Sequence, residues 1–112
     1  MGAQAPNLPQ KMSVLWGVPD KGPHGVLIRL PPGFDSTLHA HTGDYNGVLV
    51  SGPWIHVEDS GAGADTVLTP GSFVHQPGKG MHIDKCKEGS EDCILLITQS
   101  VRADIIWPDK QK

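Results

Sequence analysis

Glycine and proline punctuate this chain so regularly that little helix can survive between them. The 14 glycines and 10 prolines fill 24 of 112 positions, and inside a helix each glycine costs about 1 kcal/mol and each proline about 3. The longest stretch free of both is residues 90–107. Its centre reads Ile94-Leu95-Leu96-Ile97-Thr98, an apolar run whose β-branched side chains suit a strand. A helical bundle, a coiled coil and a βαβ fold are therefore excluded. So many breakers approach the composition of disordered chains, but 38% of residues are hydrophobic, 19% are charged and the net charge is −3. Such a chain has the apolar content for a packed core, and its length fits one domain. The expectation is a single all-β domain with tight turns.

Ten strand segments are predicted: Ser13–Trp16, Gly25–Leu30, Ser36–His41, Tyr45–Ser51, Trp54–Glu58, Thr66–Leu68, Ser72–Gln76, Met81–Cys86, Cys93–Gln99 and Ala103–Trp107. Most start 8 to 12 residues apart, the spacing of a sandwich or barrel. Residues 12–108 are expected to form the domain, with tails at 1–11 and 109–112 that are mobile or bound at an edge. The sequence shows no internal repeat.

Charge narrows the function classes. The half up to His56 carries three basic and three acidic residues, the remainder six and nine. Without a Lys/Arg cluster, nucleic acid is not an expected partner. No apolar run nears the roughly 18 residues of a membrane helix, so no membrane partner is expected either. Residues 1–11 lack the apolar centre of a secretory signal, although Gly2-Ala3-Gln4-Ala5-Pro6 resembles the small-residue segments around cleavage sites. The location stays open between cytoplasmic and, if the cysteines are bonded, periplasmic or secreted.

Those cysteines, Cys86 and Cys93, enclose the polar insert Lys87-Glu88-Gly89-Ser90-Glu91-Asp92. The insert reads as a hairpin tip that brings the sulfurs together. A disulfide closing this loop would suit an oxidising compartment; the alternative is two reduced, partly buried thiols. Zinc is disfavoured, because C-x6-C is not a usual ligand spacing.

Histidine carries the chemistry. Six occur, at 24, 39, 41, 56, 75 and 82. In His39-Ala40-His41 the two imidazoles are two residues apart, so on a strand they share a face. If that face is the interior, they form part of a transition-metal site; if it is the exterior, they are two solvated side chains. The surrounding spacing is more specific. It runs Gly33-x5-His39-x-His41-x3-Tyr45-x6-Gly52 and then Gly71-x5-Pro77-x4-His82.

These segments closely resemble the two signature motifs of the cupin superfamily, G-x5-H-x-H-x3,4-E-x6-G and G-x5-7-P-x-G-x2-H-x3-N. The stretch His39-Ala40-His41-Thr42-Gly43-Asp44-Tyr45 is similar to the H-x-H-T-x-D-Y segment of small single-domain RmlC-like and ChrR-like bacterial cupins. The resemblance spans residues 33–86 and implies a single-domain antiparallel jelly-roll barrel. It also implies one divalent metal, Fe(II), Zn, Ni or Mn, held by His39, His41 and His82. The sequence departs from the motifs where the family's glutamate ligand falls at Tyr45, its glycine at Lys79 and its final asparagine at Cys86. A phenol is protonated near neutral pH, so Tyr45 is expected beside the metal as a proton donor or acceptor, or in the core. Asp44 is out of phase and should point away.

A three-histidine set leaves the metal's charge unneutralised and ligand positions open. The resemblance then implies a small metal-dependent dioxygenase, an oxidoreductase using iron to cleave a C–C bond in a diketone-like or phenolic small-molecule substrate. The alternatives are a non-catalytic or sensory zinc-binding ChrR-like module, and a metal-dependent lyase or isomerase. Similar cupins pair through edge strands, so a homodimer is expected.

The other candidates carry plainer readings. His24 lies in a turn and is expected in solvent. His56 shares a strand face with Trp54 and Glu58, either a pocket wall or, as favoured here, the wet outer face. Of His75 and Gln76 only one can point inward, where it would orient a ligand imidazole. Arg29 shares a face with Leu27; it is either an outward charge or a clamp for a substrate carboxylate. Trp16, Trp54, Trp107, Phe34 and Phe73 read as core or interface aromatics. No G-x-S-x-G, phosphate-binding glycine loop or H-E-x-x-H offers a competing chemistry.

Overall fold

The apolar run 93–99 becomes the middle strand of the larger sheet. A computed structural model describes residues 10–89 and 91–108, and over these it contains seven strands and no helix. They are β1 (Lys11–Gly17), β2 (His24–Leu30), β3 (Tyr45–Ser51), β4 (Trp54–Glu58), β5 (Phe73–Gln76), β6 (His82–Cys86) and β7 (Cys93–Gln99). One antiparallel sheet runs β1-β2-β7-β3-β5, and the second pairs β4 with β6. The all-β, antiparallel expectation holds.

Alternation explains the core. Along β7, Cys93, Leu95, Ile97 and Gln99 are buried while the residues between them are half-buried. They meet Val26 and Leu30 of β2, Leu49 of β3, Trp54 of β4 and Cys86 of β6 between the sheets. The register places His24 opposite Gln99, Gln99 opposite Tyr45, and Tyr45 opposite Gln76. One buried polar row therefore crosses four strands at one end of the apolar layer.

Three predicted strands are not strands. Ser36–His41, Thr66–Leu68 and Ala103–Trp107 contribute only single bridges, His39 to His82, Ala40 to Ile106 and Trp54 to Leu68. In the first, two residues separate Ser36 from His39 but only one separates their partners Asp84 and His82. The surplus residue is absorbed at Thr37, whose φ of 61° breaks the strand as a bulge would. The motif glycines have a similar local cause. Gly33 and Gly52 hold φ of 82° and 95°, conformations that favour glycine, and a Cβ on Gly52 would strike the Asp92 carbonyl.

The cysteines are bonded to each other, but not across a hairpin. β6 and β7 belong to different sheets, with Cys86 opposite Trp54 and Cys93 opposite Leu30. The disulfide is an inter-sheet staple. Replacing both cysteines by serine should lower stability by about 2–3 kcal/mol, the loop-entropy value for a bridge of seven-residue separation. Urea unfolding with and without reductant would measure it; equal midpoints would mean that the bond contributes nothing.

The predicted tail 1–11 lies outside the described residues as far as residue 9, Gly2–Pro6 included, and Lys11 is already paired with Arg29 in β1. Ser90 and the tail 109–112 also lie outside them.

Candidate metal centre

The backbone brings three histidines to one point. His39 and His82 are bridge partners, bonded N–H to O=C in both directions at 3.0 and 2.8 Å. His41 follows two residues after His39, with ring centroids 5.0 Å from His39 and 5.3 Å from His82. One ligand atom from each of the three lies within 4.8 Å of the others.

Each imidazole is oriented through its other nitrogen. Nδ1 of His39 donates to the Thr37 carbonyl at 2.9 Å, Nδ1 of His41 to the Asp104 carbonyl at 2.6 Å, and Nδ1 of His82 to the Gly80 carbonyl at 3.0 Å. With the proton on Nδ1, the lone pair sits on Nε2, the arrangement metal-ligating histidines use. His82 is fully buried, and its Nε2 has no hydrogen-bond partner among the described residues. A buried nitrogen lone pair facing two others fits a cation of the imidazole-binding class. Burial, with His39 and His41 close by, lowers the His82 pKa to about 4. Burial lowers that of His41 too, with His39 adding to it. Both rings are therefore neutral at neutral pH, the form that ligates.

A second polar cluster lies against the first. Asp84, two residues beyond His82 on β6, sits 3.6 Å from His82 Nε2. It accepts hydrogen bonds from Tyr45 Oη at 3.3 Å, Trp54 Nε1 at 3.1 Å and His56 Nδ1 at 2.6 Å. His56 donates its other N–H toward Gln76 Oε1 at 2.8 Å and Glu58 Oε2 at 3.1 Å. Gln76 in turn donates to the Gly80 carbonyl at 3.1 Å, beside the carbonyl that holds His82. Burial opposes ionisation of Asp84, but the hydrogen bond and charge of His56 outweigh it and hold the carboxyl below its ordinary value. Burial opposes charge on His56 as well; Asp84 overcomes it and raises that pKa. Tyr45 is raised well above 10 by burial and then by the Asp84 charge, so it stays a phenol.

Four of these groups, His39, His41, Tyr45 and Asp84, border a cavity of about 110 Å³. They lie at its polar end, and its apolar wall includes Val26, Ile28, Leu95 and Ile97. The segment after β7 closes one side with Ala103, Ile105 and Trp107, whose indole lies 5.8 Å from the His39 ring. No lysine or arginine lines it among the described residues.

Several sequence expectations are corrected. His56 faces inward, because Trp54 on the same strand face fills the core between the sheets. His24 is buried as the first residue of β2, its Nδ1 donating to the Gly22 carbonyl at 2.8 Å. His75 points outward and bonds Asn46, leaving Gln76 as the inward residue of that pair. Arg29 is no pocket residue: it is exposed and lies 3.6 Å from Asp92. Trp54 lies behind Asp84 in the core. Asp44 points away as expected, accepting from Gly78 N at 2.6 Å. Lys79, standing where the motif has glycine, holds φ of 66° while its N–H donates to the His41 carbonyl.

Asp84, Gln99 and the Asp104 carbonyl were not expected from sequence. His82-x-Asp84 has the same-face spacing that singled out His39-x-His41, and Gln99 continues the alternation of Cys93, Leu95 and Ile97. A backbone carbonyl on a distant segment leaves no such signal.

Comparison with known proteins places this geometry. The profile of a domain family of unknown function, DUF4437, matches residues 4–99. No curated protein matches the sequence. Among solved structures, KdgF from a Halomonas species aligns at TM-score 0.68 and 20% identity, covering 88% of this chain and 87% of the other. An RmlC-like cupin from Ralstonia eutropha aligns at TM-score 0.72 and 23% identity over 96% and 66%. The DMSP lyase DddQ from Ruegeria pomeroyi aligns at 0.69 and 15% over 81% and 46%. The fold is that of a cupin.

Proposed function

The chain belongs to the DUF4437 domain family, and from that premise we propose that it is a metal-dependent oxygenase cleaving a C–C bond in a small diketone-like or phenolic substrate. His39, His41 and His82 would hold one divalent transition metal. The observation that carries this reading is the set of three oriented imidazoles, two of which, His39 and His41, line an apolar cavity that has no lysine or arginine among the described residues. When bound, the metal would supply Lewis acidity and open positions for chelating oxygens. The remaining work falls to the chain. The apolar wall excludes water and suits an uncharged substrate body. Asp84, held ionised by His56, lines the cavity and would be the base placed to take a proton from a bound substrate. Tyr45, kept protonated, donates to Asp84 and fixes its orientation.

The same carboxylate favours a second reading, a lyase or isomerase, in which proton abstraction by Asp84 is itself the chemistry. One of the similar structures is named as a lyase and another as a sugar phosphate isomerase.

Anaerobic loading of metal-free protein with Fe(II), followed by oxygen-electrode measurements with pentane-2,4-dione and catechol, separates the two. Oxygen uptake requiring both iron and substrate is expected. Product formed without oxygen would replace the oxygenase by the lyase reading. No turnover of any kind would remove both in favour of a metal-binding module.

A further inference from the structure

Within the polar row that crosses the larger sheet, Gln99 alone is incompletely bonded. Gln76 is bonded at both ends of its amide, Tyr45 donates to Asp84, and His24 is held by Gly22 and Gln99. Gln99 is 8% exposed and lines the cavity one strand from Tyr45. Its amide oxygen lies 3.1 Å from His24 Nε2, and its amide nitrogen has no partner among the described residues. That is a buried polar atom without a partner, a costly state that a bound group relieves. Were the amide turned by half, its nitrogen would face His24 Nε2 and its oxygen would take the place that the nitrogen holds now.

We propose that Gln99 is a substrate-binding residue whose free amide atom hydrogen-bonds an uncharged hydroxyl group of the ligand. A hydroxyl both donates and accepts, so it satisfies the amide in either orientation. A carboxylate or phosphate at Gln99 would enter a buried wall with no lysine or arginine among the described residues to compensate it. The ligand's apolar body lies on Val26, Ile28, Leu95 and Ile97, and the cavity of about 110 Å³ limits it to a compact ring or short chain. The inference rests on the reading of this cavity as the substrate site, and it names the substrate class as small, neutral and hydroxyl-bearing.

The test uses zinc-loaded full-length protein, titrated with phenol and with toluene, its hydroxyl-free analogue. Gln99→Met is expected to weaken phenol about tenfold, the value of one good hydrogen bond, and to leave toluene unchanged. In the wild type, the Gln99 side-chain amide resonances should move with phenol and stay in place with toluene, a readout that needs no variant to fold. Unchanged phenol affinity in Gln99→Met, resonances that do not move, or no phenol binding to the wild type would each overturn the proposal. Repeating the titration after chelation separates it from the metal reading. If phenol depends on zinc and not on Gln99, this proposal fails while the metal-anchored site stands. If phenol depends on Gln99 and not on zinc, the subsite stands and metal anchoring fails.

Discussion

His82→Ala is expected to yield a folded protein that no longer holds metal. Removing even the hydrogen-bond partner of a metal-bound histidine lowers affinity roughly 10- to 100-fold, so loss of the ligand itself should exceed that upper figure. His82 is the most committed of the three imidazoles, fully buried, with Nδ1 tied to Gly80 and Nε2 lacking any partner among the described residues. Elemental analysis after dialysis should find about one metal per wild-type chain and close to none in the variant. His75→Ala is the control, since that side chain is exposed and bonds Asn46. Full metal content in His82→Ala, with a wild-type circular dichroism spectrum, would place the metal elsewhere.

Trp54→Ala should produce the largest loss of stability. The indole is wholly buried between the sheets, close enough to β3 that a Cβ on Gly47 would sit 3.3 Å from it. Truncating such a side chain costs about 3–5 kcal/mol, against a total of roughly 5–15 for a domain. The change also removes one of the three donors around Asp84. Trp54→Phe keeps most of the apolar contact and deletes that bond, at a smaller cost of about 1–3 kcal/mol. Urea midpoints at unchanged m-value measure both. An alanine variant within 1 kcal/mol of wild type would mean that the sheets close over the gap.

The all-β fold and the His39/His41 pair were legible because both are written in short-range spacing. Breakers at regular intervals imply short strands, and histidines at i and i+2 imply one face. The jelly-roll barrel and His82 as third ligand were legible only through the resemblance to the two cupin motifs. What stayed hidden depends on sequence-distant partners. The polarity of His56 suggested an outer face, but Asp84, 28 residues later, supplies the carboxylate that lets a histidine be buried. The cysteine insert looked like a hairpin because a polar hexapeptide with glycine cannot reveal that its flanking strands enter different sheets. Thr37 gave no sign of its bulge, since the surplus residue exists only relative to β6.

β6 is a short strand fixed at two points. Its far end is covalently joined to β7 through Cys86, and its near end carries His82, four residues and about 13 Å away. A metal at His82 would make the second fixture, so that the strand lies stretched between an ion and a cystine with Asp84 midway. To the extent that slack at one anchor is felt at the other, thermodynamic reciprocity makes the effect equal in both directions. A more tightly held metal would then also mean a cystine harder to reduce, and the redox state of the surroundings would become a term in the protein's affinity for its ion.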